Sequence, residues 1–219
     1  GAASGGVWKS TDLGLSWRAL TDDMPRLPVG ALAIDRNNPD ILYAGTGEPI
    51  GTNFGRSGGS PYYDGLGVMR TSDGGENWTF LPWPRDNSAV HRIAVHPVSS
   101  DTLLVATVDK LYKSTDAGQT WTSTLDGYIT EVLYKPDDPS TVYTAIGAEY
   151  GGSNNGIYMS RAGGEKFSWT RLDVNLPPGD STARVVMSIP ASRPDRIYAA
   201  MGLNRSEEHT SELQSRQSI

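Results

Sequence analysis

The chain has 219 residues, a formal net charge of −6, no cysteine, 25 glycines and 14 prolines. The acidic balance argues against a nucleic-acid groove, which needs a basic face. No apolar run is long enough to span a bilayer, and without cysteine there are neither disulfides nor thiolate metal ligands. Frequent Gly and Pro between short apolar runs predict many short strands and tight turns, and therefore an all-β fold.

A short motif recurs along the chain and predicts a hairpin turn. Its copies begin at Ser10, Thr71 and Ser114 and read STDLGLSW, TSDGGENW and STDAGQTW. A degraded copy begins at Ser160, with Ala162 in place of the aspartate and two residues inserted before its Trp. Asp can accept backbone hydrogen bonds in such a turn, Gly supplies positive φ, and Trp packs on the sheet. The motif residues with expected structural roles are Asp12, Gly14, Trp17, Asp73, Gly75, Trp78, Asp116, Gly118, Trp121 and Trp169.

A second landmark recurs in step with the first. It consists of two apolar strand patterns around a short polar turn, and its copies lie at 31–44, 92–106, 131–144 and 185–199. Each unit then reads as four strands, A to D, with the motif between C and D. This order predicts a partial β-propeller with about four blade equivalents in an open arc. The blades are expected at 28–81, 90–125 and 129–172, with half blades at both ends.

The repeats stop at residue 204, where a different sequence begins. Residues 205–215 read RSEEHTSELQS, and one back-translation of this segment resembles a sequencing-adapter oligonucleotide. We expect 205–219 to be a non-native, adapter-encoded tail on a truncated gene, with a short polar helix as the alternative. The propeller domain is then expected at 1–204, lacking its true N-terminus and further blades of its own chain.

These repeats resemble Asp-box repeats, also called bacterial neuraminidase repeats. That family includes sialidases, xyloglucanase-type glycoside hydrolases, sortilin-type receptor domains and many exported bacterial proteins, and the flanks 4–9 and 43–48 are most similar to the exported group. The resemblance implies a secreted or cell-surface bacterial protein, with polysaccharide or an extracellular protein as its partner and no cofactor. One carboxylate per turn is too few for calcium, so no metal is expected there.

The strand order separates the motif turns from the candidate ligand site. A–B and C–D turns share one end of each blade, while B–C loops and D–A connections share the other, and propeller sites favour the longer loops. Two B–C loops are long, at 46–66 and 147–155. Their end of the molecule carries aromatic and polar side chains that suit sugars, and we nominate Arg56, Tyr62, Tyr63, Trp83, Arg85, Tyr150 and Asn154 as ligand contacts. For Trp83, packing between blades is the favoured alternative.

Two functions fit this face of the molecule. The favoured hypothesis is a module that binds glycan or protein and needs no catalytic pair. The alternative is a glycoside hydrolase, xyloglucanase-like or sialidase-like, in which two carboxylates face each other across the sugar. The weak catalytic candidates are Glu48, Asp64 and Glu149, none of which stands in an identifying motif. The sialidase variant is the weaker one, because no Arg-Ile-Pro tripeptide occurs.

Overall fold

The computed structural model describes residues 5–24, 28–47, 65–85, 88–147 and 152–203. These residues form sixteen β-strands and a short 3₁₀ turn at Gly179–Ser181. The predicted all-β fold is confirmed. In this part of the chain no helix is both long and apolar enough to cross a membrane. The expected adapter-encoded tail, 205–219, lies outside the described residues.

Three four-stranded antiparallel sheets follow one another, each a meander of consecutive strands. Blade 1 contains β3 Val29–Ile34, β4 Leu42–Thr46, β5 Val68–Thr71 and β6 Thr79–Phe80. Blade 2 contains β7 Val90–Val95, β8 Leu103–Thr107, β9 Lys110–Ser114 and β10 Thr122–Asp126. Blade 3 contains β11 Ile129–Lys135, β12 Asp138–Ile146, β13 Gly156–Ser160 and β14 Trp169–Leu172.

A two-stranded half blade flanks the three sheets on each side. The first comprises β1 Trp8–Lys9 and β2 Arg18–Ala19, which pair around the first motif turn as C and D strands do in the full blades. The other comprises β15 Thr182–Ser188 and β16 Tyr198–Leu203, which pair as A and B strands. The arc therefore begins with a C–D hairpin and ends with an A–B hairpin.

The apolar core lies between neighbouring sheets. Four clusters of buried side chains each draw on two adjacent units: the first half blade with blade 1, blade 1 with blade 2, blade 2 with blade 3, and blade 3 with the last half blade. The B strands of the three full blades are largely buried, and all five residues of β8 are inaccessible to solvent. Face-to-face packing of successive twisted sheets is the architecture of a β-propeller.

The motif turns lie beside the A–B turns of their own blades. The backbone N–H of Gly74 donates to the carbonyl of Asp40 at 2.9 Å, and that of Ala117 donates to Asp101 at the same distance. Because each bond joins a C–D turn to an A–B turn, both turns share one end of the blade. We call this the motif end, and the opposite end, with B–C loops and D–A connections, the loop end.

Candidate functional site

The motif aspartates use their oxygens to hold the C–D turn. In blade 2, Oδ1 of Asp116 accepts the Ser114 hydroxyl at 2.8 Å and the Thr120 N–H at 2.8 Å, while Oδ2 accepts the Thr120 hydroxyl at 2.6 Å. Hydrogen bonds from Thr120 and Ser114 lower the pKa of Asp116 to about 2. Asp12 and Asp73 make the same set of contacts. These carboxylates have an internal structural use that explains them without a ligand.

The degraded motif keeps its turn with a different set of hydrogen bonds. Ser160 accepts the N–H groups of Ala162 and Gly164, both at 3.1 Å, as the first serine or threonine does in the intact copies. The hydroxyl of Ser168 lies 2.6 Å from that of Ser160 and occupies the role of the missing carboxylate. Ser168 directly precedes Trp169, as Ser16, Asn77 and Thr120 precede the tryptophans of the intact copies.

The two described ends of the first long B–C loop lie in close contact at the loop end. A Cβ built at Gly47 would lie 2.8 Å from the backbone N of Gly65, and one built at Gly65 would lie 2.5 Å from the carbonyl O of Ser88. Thr46 joins the two ends of the loop, since its hydroxyl donates to the Gly67 carbonyl at 2.8 Å and accepts the Leu66 N–H at 2.7 Å. The loop is thereby anchored beside the D–A connection that leads into blade 2.

The second long loop has an equivalent anchor on the last half blade. A Cβ built at Gly147 would lie 2.6 Å from the carbonyl O of Ala183, and the N–H of Gly152 donates to Gly179 at 3.3 Å. Asn155, which is 2% exposed, donates from its side chain to the Thr182 carbonyl at 2.6 Å. Asn154 itself is exposed, and its carbonyl accepts the Tyr158 hydroxyl at 2.7 Å. The described ends of both long loops therefore lie at the loop end, each next to the following A strand.

Blade 2 has a tight B–C turn that carries an ion pair between blades. Asp109 pairs with Arg85, which belongs to the connection after blade 1, and also accepts the Thr107 hydroxyl at 2.9 Å. Lys110 pairs with Asp126 at 2.5 Å on the same end. The Arg85 side chain is 56% exposed. Its guanidinium is thus accessible to solvent, although its charge is already compensated.

Trp83 packs at the junction of blades 1 and 2. Its ring lies edge-on to Tyr112 and Trp121, with centroid separations of 5.3 and 5.0 Å. A Cβ built at Gly67 would lie 2.4 Å from its Cγ, so the indole covers the glycine directly. This placement favours packing over ligand contact for Trp83.

A shallow depression of about 430 Å³ opens at the loop end between blade 3 and the last half blade. Leu176, Pro177 and Pro178 form its apolar wall, and exposed Asp173 and Asp180 supply carboxylates. The polar and apolar groups in one concave surface suit a polyhydroxylated ligand such as a glycan.

Arg171 contributes the cation of this depression. Its Nε lies 2.7 Å from Oδ1 of Asp173, and its Nη1 donates to the Ser153 carbonyl at 2.6 Å. The guanidinium thus fixes the loop that carries Asn154 to the end of β14. Sequence reasoning missed Arg171 and Asp173 because nothing marks the end of a D strand. The available signal was the long Pro-Pro-Gly connection at 173–181.

Three of the ten candidate ligand and catalytic residues can be placed, namely Trp83, Arg85 and Asn154. The structure puts all three at the loop end but does not gather them into one pocket: Trp83 and Arg85 belong to the junction of blades 1 and 2, whereas Asn154 belongs to blade 3. The other seven lie outside the described residues and are Glu48, Arg56, Tyr62, Tyr63, Asp64, Glu149 and Tyr150.

Comparisons with known proteins place this fold among propeller enzymes. No known family model matches the chain. An oligoxyloglucan-reducing end-specific xyloglucanase from Emericella nidulans is 26% identical over 196 residues, covering 74% of this chain and 22% of the relative. The crystal structure of an ancestral GH74 enzyme superposes with a TM-score of 0.68 at 18% identity, over 95% of this chain and 26% of that one. The crystal structure of the GH74 xyloglucanase from Xanthomonas campestris superposes with a TM-score of 0.68 at 19% identity. The match covers 94% of this chain and 32% of that one.

These similarities identify the fold and show how much of each similar protein the chain spans. At identities of 18% and 19% the two enzymes are similar to this chain in fold alone. The chain spans less than a third of the length of each, and about a fifth of the fungal relative. The sixteen strands are therefore a partial propeller of the kind found in GH74 xyloglucanases.

Proposed function

We propose that this chain is part of an exported propeller that binds polysaccharide at its loop end. The depression formed by Arg171, Asp173, Pro177 and Asp180 carries the proposal, because it is concave, partly apolar and rich in hydrogen-bonding groups. The second long loop ends beside this depression, and the first begins and ends at the same end of the molecule. The proteins similar to this chain include two xyloglucanases, which supports a glycan as the ligand.

Polysaccharide retention measures this function directly. The full chain is run through native gels containing xyloglucan, xylan or mannan, and at least one polymer should slow it. Asp180→Asn and Asp173→Asn should each weaken that retention at least fivefold, because a carboxylate accepts two hydroxyl donors where an amide accepts fewer.

A matched control exists at the motif end. Asp195 is as exposed as Asp173, at 66%, and is likewise paired with an arginine two residues before it. Asp195→Asn should migrate as the wild type does. Equal retention of the Asp173, Asp180 and Asp195 variants, or passage of the wild type through every gel unretarded, would remove the depression as a glycan site.

Hydrolysis is the second candidate function, favoured by the similarity to a xyloglucanase. We propose Glu48, Asp64 and Glu149 as its carboxylates, with Arg56, Tyr62, Tyr63 and Tyr150 as sugar contacts. Release of reducing ends from xyloglucan, abolished by Glu48→Gln or Asp64→Asn, would establish an enzyme. Binding without release of reducing ends supports the binding module alone.

A further inference from the structure

The depression at the loop end carries a net negative charge. Its charged lining residues are Arg171, Asp173 and Asp180, so it contains one cation and two carboxylates. Arg171 and Asp173 form an ion pair, with 2.7 Å between Nε and Oδ1. Asp180 makes no ion pair and no side-chain hydrogen bond with the described residues. One negative charge is therefore left without compensation in the depression.

The cation of the depression is less accessible than its carboxylates. The side chain of Arg171 is 27% exposed, whereas that of Asp173 is 66% exposed, and Asp180 is exposed as well. Arg171 also donates from Nη1 to the Ser153 carbonyl at 2.6 Å. A ligand that enters the depression therefore meets carboxylate oxygens more readily than the guanidinium.

The apolar wall of the depression adds few hydrogen-bond donors. Pro177 and Pro178 have no N–H group, and the N–H of Leu176 is bonded to the carbonyl of Asp173 at 3.3 Å. Each ionised carboxylate offers two acceptor oxygens and no donor. The depression is therefore richer in acceptors than in donors, so a well-matched ligand supplies the donors.

The backbone that carries Asp180 is fixed by local hydrogen bonds. Asp180 lies within the 3₁₀ turn Gly179–Ser181. The N–H of Ser181 donates to the Pro178 carbonyl at 3.1 Å, and the hydroxyl of Thr182 donates to the same carbonyl at 2.9 Å. The carboxylate is thus attached to a backbone that needs no ordering when a ligand binds, which lowers the cost of binding.

Sugar classes differ in the groups that they would bring to such a surface. The ammonium of a protonated amino sugar supplies three donors, no acceptor and a positive charge. A hydroxyl of a neutral sugar donates once and accepts as well. The carboxylate of a uronic acid supplies acceptors only, and its charge is repelled by an uncompensated aspartate. The match is therefore best for amino sugars and worst for uronic acids.

We propose that the depression selects cationic amino sugars, such as glucosamine units, over neutral sugars and rejects uronic acids. Asp180 determines this specificity, because its carboxylate is free to pair with the ammonium, while Leu176 and Pro177 offer an apolar surface to the sugar ring. The inference rests on the proposed glycan function, since it assigns the class of sugar that the same depression binds.

Two hexasaccharides of equal length test the selection. Hexaglucosamine and its N-acetylated counterpart share one backbone, but only the first is cationic. Calorimetry is done at about pH 5.5, where exposed aspartates are ionised and the amino groups are protonated. The wild-type chain in low salt should bind hexaglucosamine about threefold more tightly or better, as an exposed ion pair allows. In about 1 M salt, where charges are screened, the two affinities should converge.

A matched pair of variants separates selection in the depression from general attraction. The whole chain is acidic, with a net charge of −6, and attracts a cationic sugar anywhere on its surface. Asp180→Asn and Asp195→Asn change the net charge equally, but Asp195 lies at the motif end. Asp180→Asn should bind both hexasaccharides with similar affinity, whereas Asp195→Asn should keep the wild-type preference.

Reversing the charge of the depression should reverse its selectivity. Asp173→Asn combined with Asp180→Asn leaves Arg171 as the charged lining residue. This double variant should bind hexagalacturonate, which the wild type should not. Asp173→Asn combined with Asp195→Asn has the same net charge but retains Asp180, and it should not bind hexagalacturonate. Circular dichroism checks that each variant keeps its strand content.

The outcomes distinguish this inference from the glycan proposal. Equal affinity of the wild type for both hexasaccharides, or a preference that survives in Asp180→Asn, would overturn the selection of amino sugars. Retention of the wild type in a polysaccharide gel would still support the glycan function in that case. If no polymer retains the chain and neither hexasaccharide binds, both the glycan function and this inference are wrong. The salt dependence of the wild type needs no variant, so the inference stays testable even if a variant fails to fold.

Discussion

The indole N–H of Trp121 donates a 2.8 Å hydrogen bond to the carbonyl of Pro82, which lies in the preceding blade. Trp121 therefore joins two blades as well as packing on its own sheet. Trp17 of the first half blade turns back instead and donates to Gly14 within its own turn at 3.1 Å. Among the described residues, the indole N–H groups of the motif tryptophans Trp78 and Trp169 are buried without a hydrogen-bond partner, so this bond between blades is particular to Trp121.

Trp121→Phe should destabilise the fold by about 1 kcal/mol, because the ring stays and one hydrogen bond is lost. Trp121→Ala should cost about 3 kcal/mol through lost packing. Urea unfolding followed by circular dichroism measures both. Trp17→Phe is the control and should change the free energy of unfolding by a few tenths of a kcal/mol. Equal losses for the two Phe variants would show that the bond to Pro82 contributes nothing.

Gly67→Ala should be much more harmful than Gly14→Ala. The two glycines have φ values of 88° and 90°, so a side chain at either position pays the same backbone strain. A Cβ at Gly67 would collide with the Trp83 ring at 2.4 Å, whereas one at Gly14 meets only Trp17 at 3.7 Å. Thermal unfolding should show about 1 kcal/mol of destabilisation for Gly14→Ala and at least twice that for Gly67→Ala. Similar losses would mean that Trp83 moves aside freely.

The repeat pattern predicted the sheets and the motif end well because both depend on local chemistry. Asp116 with Ser114 and Thr120 closes a turn within seven residues, so the sequence contains every group involved. The depression at the loop end was not predicted, because the path of the irregular connection after β14, which places Asp180 near Arg171 and Asp173, follows no repeat pattern. Ion pairs across a blade junction, such as Arg85 with Asp109, need a register that no single repeat encodes.

Ser168 illustrates a second limit of reading motifs. The loss of the aspartate at Ala162 marks this copy as degraded, yet the hydroxyl of Ser168, the residue just before Trp169, is hydrogen-bonded to that of Ser160. A turn can keep its geometry with different atoms when a nearby hydroxyl replaces the carboxylate. Substitution patterns therefore indicate which contact has changed, but not whether the turn has been lost.

The partly buried His91 should make stability fall in mild acid. Desolvation by burial, aided by nearby Arg184, lowers its pKa from 6.5 to about 4, although its Nδ1 is hydrogen-bonded to the carbonyl of Ile129 and its ring lies 4.7 Å from that of Tyr128. Because the unfolded chain binds the proton more tightly, the free energy of unfolding declines as pH falls from about 6.5 towards 4. The total effect is up to about 3 kcal/mol.

Melting temperatures measured at pH values between 7 and 4 test this assignment. His91→Asn keeps a side-chain N–H for the Ile129 carbonyl but cannot be charged, so its melting temperature should depend less on pH than that of the wild type. His96→Asn, just beyond the other end of β7, is the comparison and should keep most of the wild-type dependence. An unchanged pH profile in His91→Asn would assign the acid sensitivity to other groups.

Glu131 gives the opposite pH dependence, and Arg92 controls its size. The Glu131 side chain is 3% exposed and lies 2.7 Å from Nε of Arg92, which is 49% exposed. Burial raises the pKa of Glu131 above its usual value despite this partner. The folded chain therefore holds the proton more tightly than the unfolded one, so this group's contribution to stability is present at low pH and is lost as pH rises above about 4.5.

Removal of the Arg92 cation should enlarge the loss of stability that Glu131 causes as pH rises. Arg92→Met should destabilise the fold by about 2 kcal/mol at pH 7, because a buried carboxylate is left unpaired, and by much less at pH 4, where Glu131 can be protonated. Glu131→Gln should be close to neutral, since Arg92 is half exposed and remains hydrated. In the double variant the penalty of Arg92→Met should largely disappear, which a double-mutant cycle in urea measures. Additive losses in that cycle would show that the two side chains act independently and that the ion pair is incidental to the fold.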